Sequence, residues 1–398
     1  MRISLTKTLR GFTLVELMVA MLLGIVLVAG ILQLFLASRQ TFSTNESLAR
    51  VQENVRFSLE EVKSGLRGSS HFAFCGTRPE PRSHLNLPNA DWVGALFGPQ
   101  TTFMGWEFVG TGLNGSHTID PGFPTAAAGA WISRPRQANG TAPDLSLPGV
   151  FTASSVVRPV AGSDVIIVRR MVPVTGVTAT GTSAASAAEI QLDGAHGLST
   201  GDLVMVTDCT NADYFRNTSS SSTQLNRGPG SGNCGACPVN GSLAGDWDTL
   251  IDQTLQVYRV ELLAYFVGFN NDLGRPGLYR LDLSTCDCGT GANELVELVE
   301  GVENMQVLYG YSLPGSQGGD GKTVAAGNWL TANQFSDWWP IIGARVAMLY
   351  RSPDTAGLDA LEQTFNLIGA EITTPEDTRL RQDATVTVAF RNRVMFDD

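Results

Sequence analysis

The sequence predicts an α+β protein in which a long N-terminal α-helix, membrane-spanning in its first half, packs on an antiparallel β-sheet head with long loops. Three features support this prediction. An uncharged apolar run lies near the N-terminus, an amphipathic helical pattern follows it, and the remainder alternates β-branched runs with loops rich in glycine and serine. With 398 residues, 43% of them hydrophobic, the chain can bury a substantial core in one large or two smaller domains.

The apolar run comprises the 22 uncharged residues of 17–38. A membrane-spanning helix needs ~20 predominantly apolar residues. Arg2, Lys7 and Arg10 precede the run, and basic flanks favour the cytoplasmic side. We therefore expect a single pass through a membrane, with the N-terminus in the cytoplasm and the head outside. A plain membrane anchor is an alternative interpretation of the same run.

Glu16 stands at the entrance of this apolar run. An ionisable side chain deep in a bilayer costs about 2.5–3.5 kcal/mol and is usually kept for a partner or a function. Arg10 could pair with Glu16 as an ordinary helix-end contact. Alternatively, cleavage after Gly11 would make the amine of Phe12 the new N-terminus, one helical turn from Glu16. In a bundle of such helices, the amine of one chain could then neutralise the carboxylate of the next.

The hexapeptide Gly11-Phe12-Thr13-Leu14-Val15-Glu16, placed between basic residues and an uncharged run, resembles the class III signal of type IV prepilins. This resemblance implies that a prepilin peptidase cleaves after Gly11 and methylates Phe12, and that Glu16 acts in assembly. Residues 1–11 would then be a leader peptide. Its removal would change the net charge from −11 to −11 − 3 = −14, since it contains three basic residues and no acidic one.

The helical pattern continues beyond the membrane segment. Its apolar residues are spaced 3, 4, 4, 3 and 4 positions apart, and charged residues occupy the opposite face. The pattern predicts one helix over 12–66, with 12–38 in the membrane or a filament core, and with Gly65 and Gly68 as its stop signals. The apolar stripe consists of Leu48, Val51, Val55, Leu59, Val62 and Leu66.

The head, residues 67–398, is predicted to be a β-rich periplasmic or extracellular unit. Alternation at Val386, Val388 and Phe390 is typical of a half-buried antiparallel strand. Because strand-like runs do not alternate with helical patterns, a parallel sheet built from βαβ units is disfavoured. The predicted loops are 71–99, 111–148 and 217–233. The predicted strands are 164–170, 203–207, 255–269, 278–283, 302–311, 344–350 and 384–390.

Several segments of the head resemble the PilW-type minor pilins in their order along the chain. The resemblance implies the pilin fold and passage from the inner membrane into a pilus. The implied partners are the major pilin and other minor pilins, the prepilin peptidase, the inner-membrane assembly platform and a large tip adhesin. The segments are 201–204 with 208–209, 278–280, 298–303, 309–310, 345–352 and 390–392.

Six cysteines lie in the predicted head: Cys75, Cys209, Cys234, Cys237, Cys286 and Cys288. Thiols oxidise on the exported side of the membrane, so the even number favours up to three disulfides. The short spacing of Cys286 and Cys288 favours a distant partner for each, whereas Cys234 could bridge Cys237 or pair with Cys209. A four-thiolate zinc site and a thioredoxin-like redox pair are weaker alternatives.

No pattern in the sequence indicates an enzyme, a resident metal or a cofactor. A nucleophile elbow, a Walker loop and a dinucleotide fingerprint are all missing from it. Asp246, Asp248 and Asp252 are interpreted as a solvated acidic turn rather than a calcium loop. The net charge of −11 disfavours nucleic acid as a partner. The four histidines, His71, His84, His117 and His196, are interpreted as loop or surface residues.

These features favour a minor pilin that primes type IV pilus assembly and sits at or near the filament tip, supporting twitching motility and adhesion. A minor pseudopilin of a type II secretion system, of the GspJ kind, would share the signal and a related head. The third hypothesis is a membrane-anchored adhesin or binding module whose head acts alone, which predicts no processing by the prepilin peptidase.

Overall fold

The computed structural model describes most of the helix and the strands of the head. The described residues are 13–69, 82–85, 102–134, 144–179 without 153 and 155, 189–207, 212–228, 233, 256–284, 294–311, 328–355 without 337 and 339, and 359–390.

A single helix, α1, runs over Leu14–Ser69 and is about 84 Å long at 1.5 Å per residue. Its predicted apolar stripe faces the head: Val51, Val62 and Leu66 are fully buried, and Val55 and Leu59 pack against the same core. Leu48 does not belong to the buried stripe, since 38% of its surface remains exposed. The prediction of one long helix, amphipathic in its second half, is therefore confirmed.

The glycines predicted to stop α1 do not stop it. The helix passes through both Gly65 and Gly68 and reaches Ser69, the last described residue of this segment. A Cβ atom on Gly65 would lie 2.6 Å from the hydroxyl oxygen of Tyr265, so the position has room only for glycine. Gly65 therefore serves close packing between the helix and the sheet, and the tendency of glycine to end helices is overridden by that contact.

The head of the described chain is an antiparallel β-structure, as predicted, with two short parallel pairs. Its strands are β1 Arg82–Ser83, β2 Phe103–Phe108, β3 Ser116–Thr118, β4 Trp131–Ser133, β5 Leu145–Ser146, β6 Val157–Pro159, β7 Val165–Pro173, β8 Glu189–Gln191, β9 Leu203–Thr207, β10 Ala212–Arg216, β11 Gln224–Asn226, β12 Gln256–Asn270, β13 Arg275–Asp282, β14 Glu294–Glu300, β15 Val302–Tyr311, β16 Trp329–Leu330, β17 Ile341–Arg351, β18 Thr364–Leu367, β19 Ala370–Thr373 and β20 Arg381–Ala389.

Two sheets form the body of the head. The larger has the order β1-β10-β9-β12-β7-β2-β4-β5, and β6 and β13 also pair with β12 while β14 pairs with β13. The smaller has the order β16-β15-β17-β20. The 15-residue β12 remains one strand because different partners pair with its two ends: β9 with its beginning and β13 with its end. Small sheets β18-β19-β3 and β11-β8 complete the described head.

All seven strands predicted from the sequence are present, at bounds within a few residues of those expected. The sequence did not predict β2, a buried strand in the larger sheet. The predicted loop 111–148 contains the short strands β3, β4 and β5, and the predicted loop 217–233 contains β11. Strands of two or three residues are too short to show the alternation from which strands are recognised.

The second half of α1 lies against both sheets. From the larger sheet, Arg280 forms an ion pair with Glu61 at 2.9 Å, and the carbonyl oxygen of Glu300 accepts a hydrogen bond from the Asn54 amide at 3.2 Å. From the smaller sheet, the hydroxyl group of Tyr350 is 2.6 Å from Ser58 Oγ. The head thus fixes the position of α1 through polar contacts at several heights along the helix.

Candidate assembly site

Glu16 lies in the first turn of α1 and is exposed. Its Oε2 accepts hydrogen bonds from Thr13 N at 3.1 Å and Thr13 Oγ1 at 3.2 Å. In return, Thr13 Oγ1 accepts one from Glu16 N at 3.3 Å. This reciprocal pattern is a capping box, which satisfies amide groups that a helix start leaves without partners. The T-x-x-E spacing at 13–16 was the signal for it, and sequence reasoning missed the role of Thr13.

The capping box satisfies part of the hydrogen-bonding capacity of the Glu16 carboxylate but does not neutralise its charge. Within one chain, Thr13 supplies hydrogen bonds to the carboxylate but no positive charge. Gly11 and Phe12, the predicted cleavage and methylation positions, lie outside the described residues. The amine of Phe12, had cleavage occurred after Gly11, would immediately precede Thr13 in the chain. A cation that neutralises Glu16 would therefore have to come from outside the described residues.

The first half of α1 makes no buried contact with the head. Every residue of 13–42 is exposed, and its large apolar side chains, such as Leu14 at 76% and Leu34 at 74%, are open on all sides of the helix. By length and composition, α1 can cross a membrane. Residues 43 and 44 are the first that are half-buried, and Ser47 is the first that is buried. An apolar surface this extensive requires lipid or other helices around it.

All six cysteines lie outside the described residues, but some neighbouring residues are described. Asn233, which precedes Cys234, hydrogen-bonds through its side chain to both the amide and the carbonyl of Arg216. The guanidinium group of Arg216 donates a hydrogen bond to the carbonyl oxygen of Ser284 at 2.8 Å, and Ser284 precedes Cys286 by two residues. Arg216 therefore contacts one described residue close to each of two cysteine segments.

Of the histidines interpreted as loop or surface residues, His84 and His196 lie outside the strands, as a loop position requires, but both are buried, and the half-buried His117 lies in β3. His84 Nε2 lies 3.1 Å from the carboxylate of Asp213, which also binds the buried Arg227 at 2.7 Å. His196 Nε2 lies 3.0 Å from the carbonyl oxygen of Ser221 and 3.2 Å from that of Gln224, and His196 Nδ1 accepts a hydrogen bond from the amide of Leu198. Isolated histidines carry no sequence signal for such partners, because Asp213 and the loop carbonyls are remote in the chain. His71 lies outside the described residues.

A second buried cluster of charged residues was not predicted from the sequence. The fully buried Glu303 of β15 accepts hydrogen bonds from Arg381 at 2.8 Å and from Arg351 at 3.2 Å. Arg381 also pairs with Asp377 at 2.6 Å. Burial lowers the pKa of Arg351, and the carboxylate of Glu303 opposes that effect. The cluster ties three neighbouring strands of the smaller sheet together and is structural in character.

The described residues contain no group of three or more histidine, cysteine or acidic side chains arranged to hold a metal ion. Asp246, Asp248 and Asp252 are not among these residues. The described part of the chain thus offers an exposed apolar helix with a capped acidic N-terminus, on a head whose polar clusters are structural.

Comparisons with known families agree with this geometry. The prokaryotic N-terminal methylation motif matches residues 7–32, and the family described as type IV pilus-assembly protein W, PilW, matches residues 264–392. No curated protein and no solved structure matches the chain. With a methylation motif that overlaps the start of an exposed apolar helix, followed by an antiparallel β-head, the chain is similar to the pilin class of proteins.

Within that class, the match to PilW supports a minor pilin associated with the type IV pilus. The PilW match begins within β12 and covers β13 to β20 and the three residues after β20, and so includes both strands that contact α1 through Arg280 and Tyr350. The resembling segment 201–209 lies outside it. A pilin family implies association with other pilus components and processing of the prepilin signal, and the apolar helix implies anchoring in a membrane.

Proposed function

We propose that this chain is a minor pilin that primes assembly of the type IV pilus and remains at or near its tip, supporting twitching motility and adhesion. Prepilin peptidase cleaves after Gly11 and methylates the amine of Phe12. The N-terminus faces the cytoplasm before assembly, and the head enters the periplasm and then the cell surface. Its partners are the major pilin, other minor pilins, the assembly platform and a large tip adhesin.

The observation that carries this proposal is the exposed carboxylate of Glu16 at the start of an exposed apolar helix. In a bundle of such helices, lipid is replaced by neighbouring chains, and the dielectric is low. An unpaired charge is then strongly disfavoured, whereas a charge pair is tolerated. The Phe12 amine of a neighbouring subunit supplies the cation that Thr13 cannot.

The tip position is proposed from the size of the head. The predicted head comprises residues 67–398, which is most of the chain, and its body consists of two sheets. Identical packing of so large a unit along a filament shaft would crowd its neighbours. A single copy at the end of the filament has no such restriction.

Two substitutions separate the assembly role of Glu16 from its role in the capping box. Glu16→Ala removes both the box and the charge, whereas Thr13→Ala removes the two hydrogen bonds of the Thr13 hydroxyl group and retains the charge. We expect both variants to be found in the membrane, processed at Gly11, but only Thr13→Ala to be recovered in sheared pili. Immunoblots of sheared and membrane fractions measure this, and N-terminal sequencing verifies processing.

Equal recovery of Glu16→Ala and wild type in sheared pili would refute the role of Glu16. Equal loss of both processed variants would show that the helix cap, rather than the charge, is what assembly requires. For the type II secretion alternative, deletion of the gene would abolish secretion of exoproteins and leave twitching intact. For the membrane-anchored adhesin, the mature protein would start at Met1 instead of methylated Phe12.

A further inference from the structure

The turn at 162–164, which leads into β7 of the larger sheet, is bonded directly to β15 of the smaller one. The carbonyl oxygen of Gly162 accepts hydrogen bonds from the side-chain amides of Asn304 and Gln306, both at 2.7 Å. The backbone amide of Asp164 donates to the carbonyl oxygen of Met305 at 2.8 Å. We call this turn and its partners on β15 the inter-sheet joint.

The side chain of Asp164 extends the joint to a third strand. Its Oδ1 accepts a hydrogen bond from the amide of Phe108, in β2, at 3.0 Å, and its Oδ2 accepts one from the amide of Val307, in β15, at 2.8 Å. Asp164 is buried, with 2% of its surface exposed. Two backbone donors aimed at one buried carboxyl group favour its ionised form.

Glu107, the residue before Phe108, is a second buried carboxyl group at the same place. Its Oε1 accepts a weak hydrogen bond from Thr111 Oγ1 at 3.4 Å, and no described residue donates to its Oε2 if the group is a carboxylate. Glu107 lines a small, partly open pocket between β2, β15 and the β18–β19 turn, together with Thr111, Thr331, Leu308 and Ile368. A buried carboxylate oxygen without a donor is disfavoured, so the site requires a proton or a ligand.

Among the described residues, the titratable groups that interact with Glu107 are Asp164 and Tyr309, and neither supplies a positive charge. The buried hydroxyl group of Tyr309 has no hydrogen-bond partner among those residues. The ring of His117 packs against Phe108 and lies beside Gly162, and burial lowers the pKa of this histidine. Burial, followed by the nearby charge of Asp164, raises the pKa of Glu107 well above its usual value. Burial raises the pKa of Asp164 to about 7, and its hydrogen bonds act in the opposite direction.

We propose that Glu107 and Asp164 share a single proton, which Glu107 donates to the Asp164 carboxylate, and that this proton closes the inter-sheet joint and makes the stability of the head sensitive to pH. The orphaned Oε2 then becomes a donor, and both carboxyl groups are satisfied. Loss of the proton places two carboxylates side by side without a cation. The inter-sheet joint then opens, and the two sheets that together hold α1 separate.

The sign of the pH effect follows from this arrangement. In the unfolded chain a glutamate loses its proton near pH ~4.3, whereas in the folded head the pair retains one proton to higher pH. The stability that the pair contributes is therefore fully present below pH ~4 and declines as the pH rises. In the interval where only the folded state holds the proton, the folding equilibrium constant falls about tenfold per pH unit.

Glu107→Gln tests the proposal because its amide donates to Asp164 without titrating. We expect urea unfolding of the full-length protein in detergent, followed by the fluorescence of the buried Trp106 and Trp131, to be less dependent on pH in the variant than in wild type. Between pH ~5 and ~7, the folding equilibrium constant of wild type should fall by up to about tenfold more per pH unit than that of the variant. Glu371→Gln, at an exposed position of β19, is the matched control and should keep the wild-type dependence.

Infrared spectroscopy provides a second measurement that does not depend on the stability of a variant. At pH ~6.5, the carboxylates of an ordinary protein surface are ionised. The wild-type protein should nevertheless show a carboxylic-acid carbonyl band, absent from Glu107→Gln if that variant folds. A wild-type spectrum without this band would overturn the proposal, and so would identical pH dependence of unfolding in wild type and Glu107→Gln.

Discussion

Ser58 Oγ and the hydroxyl group of Tyr350 lie 2.6 Å apart and join α1 to β17 across 292 residues of sequence. Ser58 also bonds to the carbonyl oxygen of Asn54 at 2.7 Å, whereas the other contact of the Tyr350 hydroxyl is the sulfur of Met348 at 3.7 Å. Both residues are buried. Loss of this hydrogen bond would therefore leave the Tyr350 hydroxyl group with only the sulfur contact, whereas Ser58 would keep its bond to Asn54.

This asymmetry gives the first prediction. Ser58→Ala leaves a buried tyrosine hydroxyl almost without a partner and should destabilise the protein by about 1–3 kcal/mol, more than Tyr350→Phe does. Urea unfolding of both single variants and the double variant would measure the coupling between them. Ser64→Ala, at an exposed position of the same helix, should have little effect. A larger loss for Tyr350→Phe would contradict the prediction.

The second prediction concerns the close approach at Gly65. Alanine is favoured over glycine in a helix by about 1 kcal/mol, yet the added Cβ would meet the Tyr265 hydroxyl at 2.6 Å and the ring at 2.9 Å. We expect Gly65→Ala to be destabilising in thermal or urea unfolding, and Tyr265→Phe to relieve part of that loss. Gly30→Ala, with no atom within 4 Å of the new Cβ, should not destabilise. Stabilisation by Gly65→Ala would show that α1 moves away from the sheet at little cost.

The third prediction concerns the charge cluster around Glu303. Glu303→Ala leaves the buried guanidinium of Arg381 with Asp377 as its remaining anionic partner, and should cost about 3–5 kcal/mol of folding free energy. Asp144→Ala removes the exposed pair with Arg134 and serves as the control, for which we expect no measurable change. Similar unfolding curves for the two variants would mean that the cluster adds little to stability.

The fourth prediction concerns the cysteines, which we propose to be disulfide-bonded. Because Arg216 contacts residues next to both segments, we expect a link between the 234/237 pair and the 286/288 pair. Non-reducing peptide mapping of the protein purified from membranes would identify it. Recovery of all six cysteines as alkylated thiols without reduction would exclude disulfides, and stoichiometric zinc in that sample would favour the thiolate site.

The sequence predicted what depends on local pattern. The apolar stripe from Val51 to Leu66 repeats with the helical period. Strands such as β15 are long enough for their apolar composition to indicate a buried strand. The end of α1 could not be predicted in the same way. Gly65 looks like a stop signal until the ring of Tyr265, 200 residues further along the chain, is placed above it.

The same distinction holds for the functional residues. Gly11, Phe12 and Glu16 form a contiguous motif, so their candidate roles could be recognised from the sequence alone. The arginine partners of Glu303 come from distant strands, and Asp164, the acidic neighbour of Glu107, comes from the turn before β7. A single glutamate in a strand-like run gives no indication of what it will face. Thr13 was within reach of local reasoning, because the T-x-x-E spacing is itself a helix-start signal.

The continuity of α1 has a mechanical consequence. The helix contains no proline and no break between its exposed half and the half held by the head. A pulling force on the exposed half therefore runs along one hydrogen-bonded rod and loads the contacts at Asn54, Ser58 and Glu61 in shear, all at once rather than one after another. A subunit built in this way can bear tension along its helix without first unfolding the segment that joins the two halves.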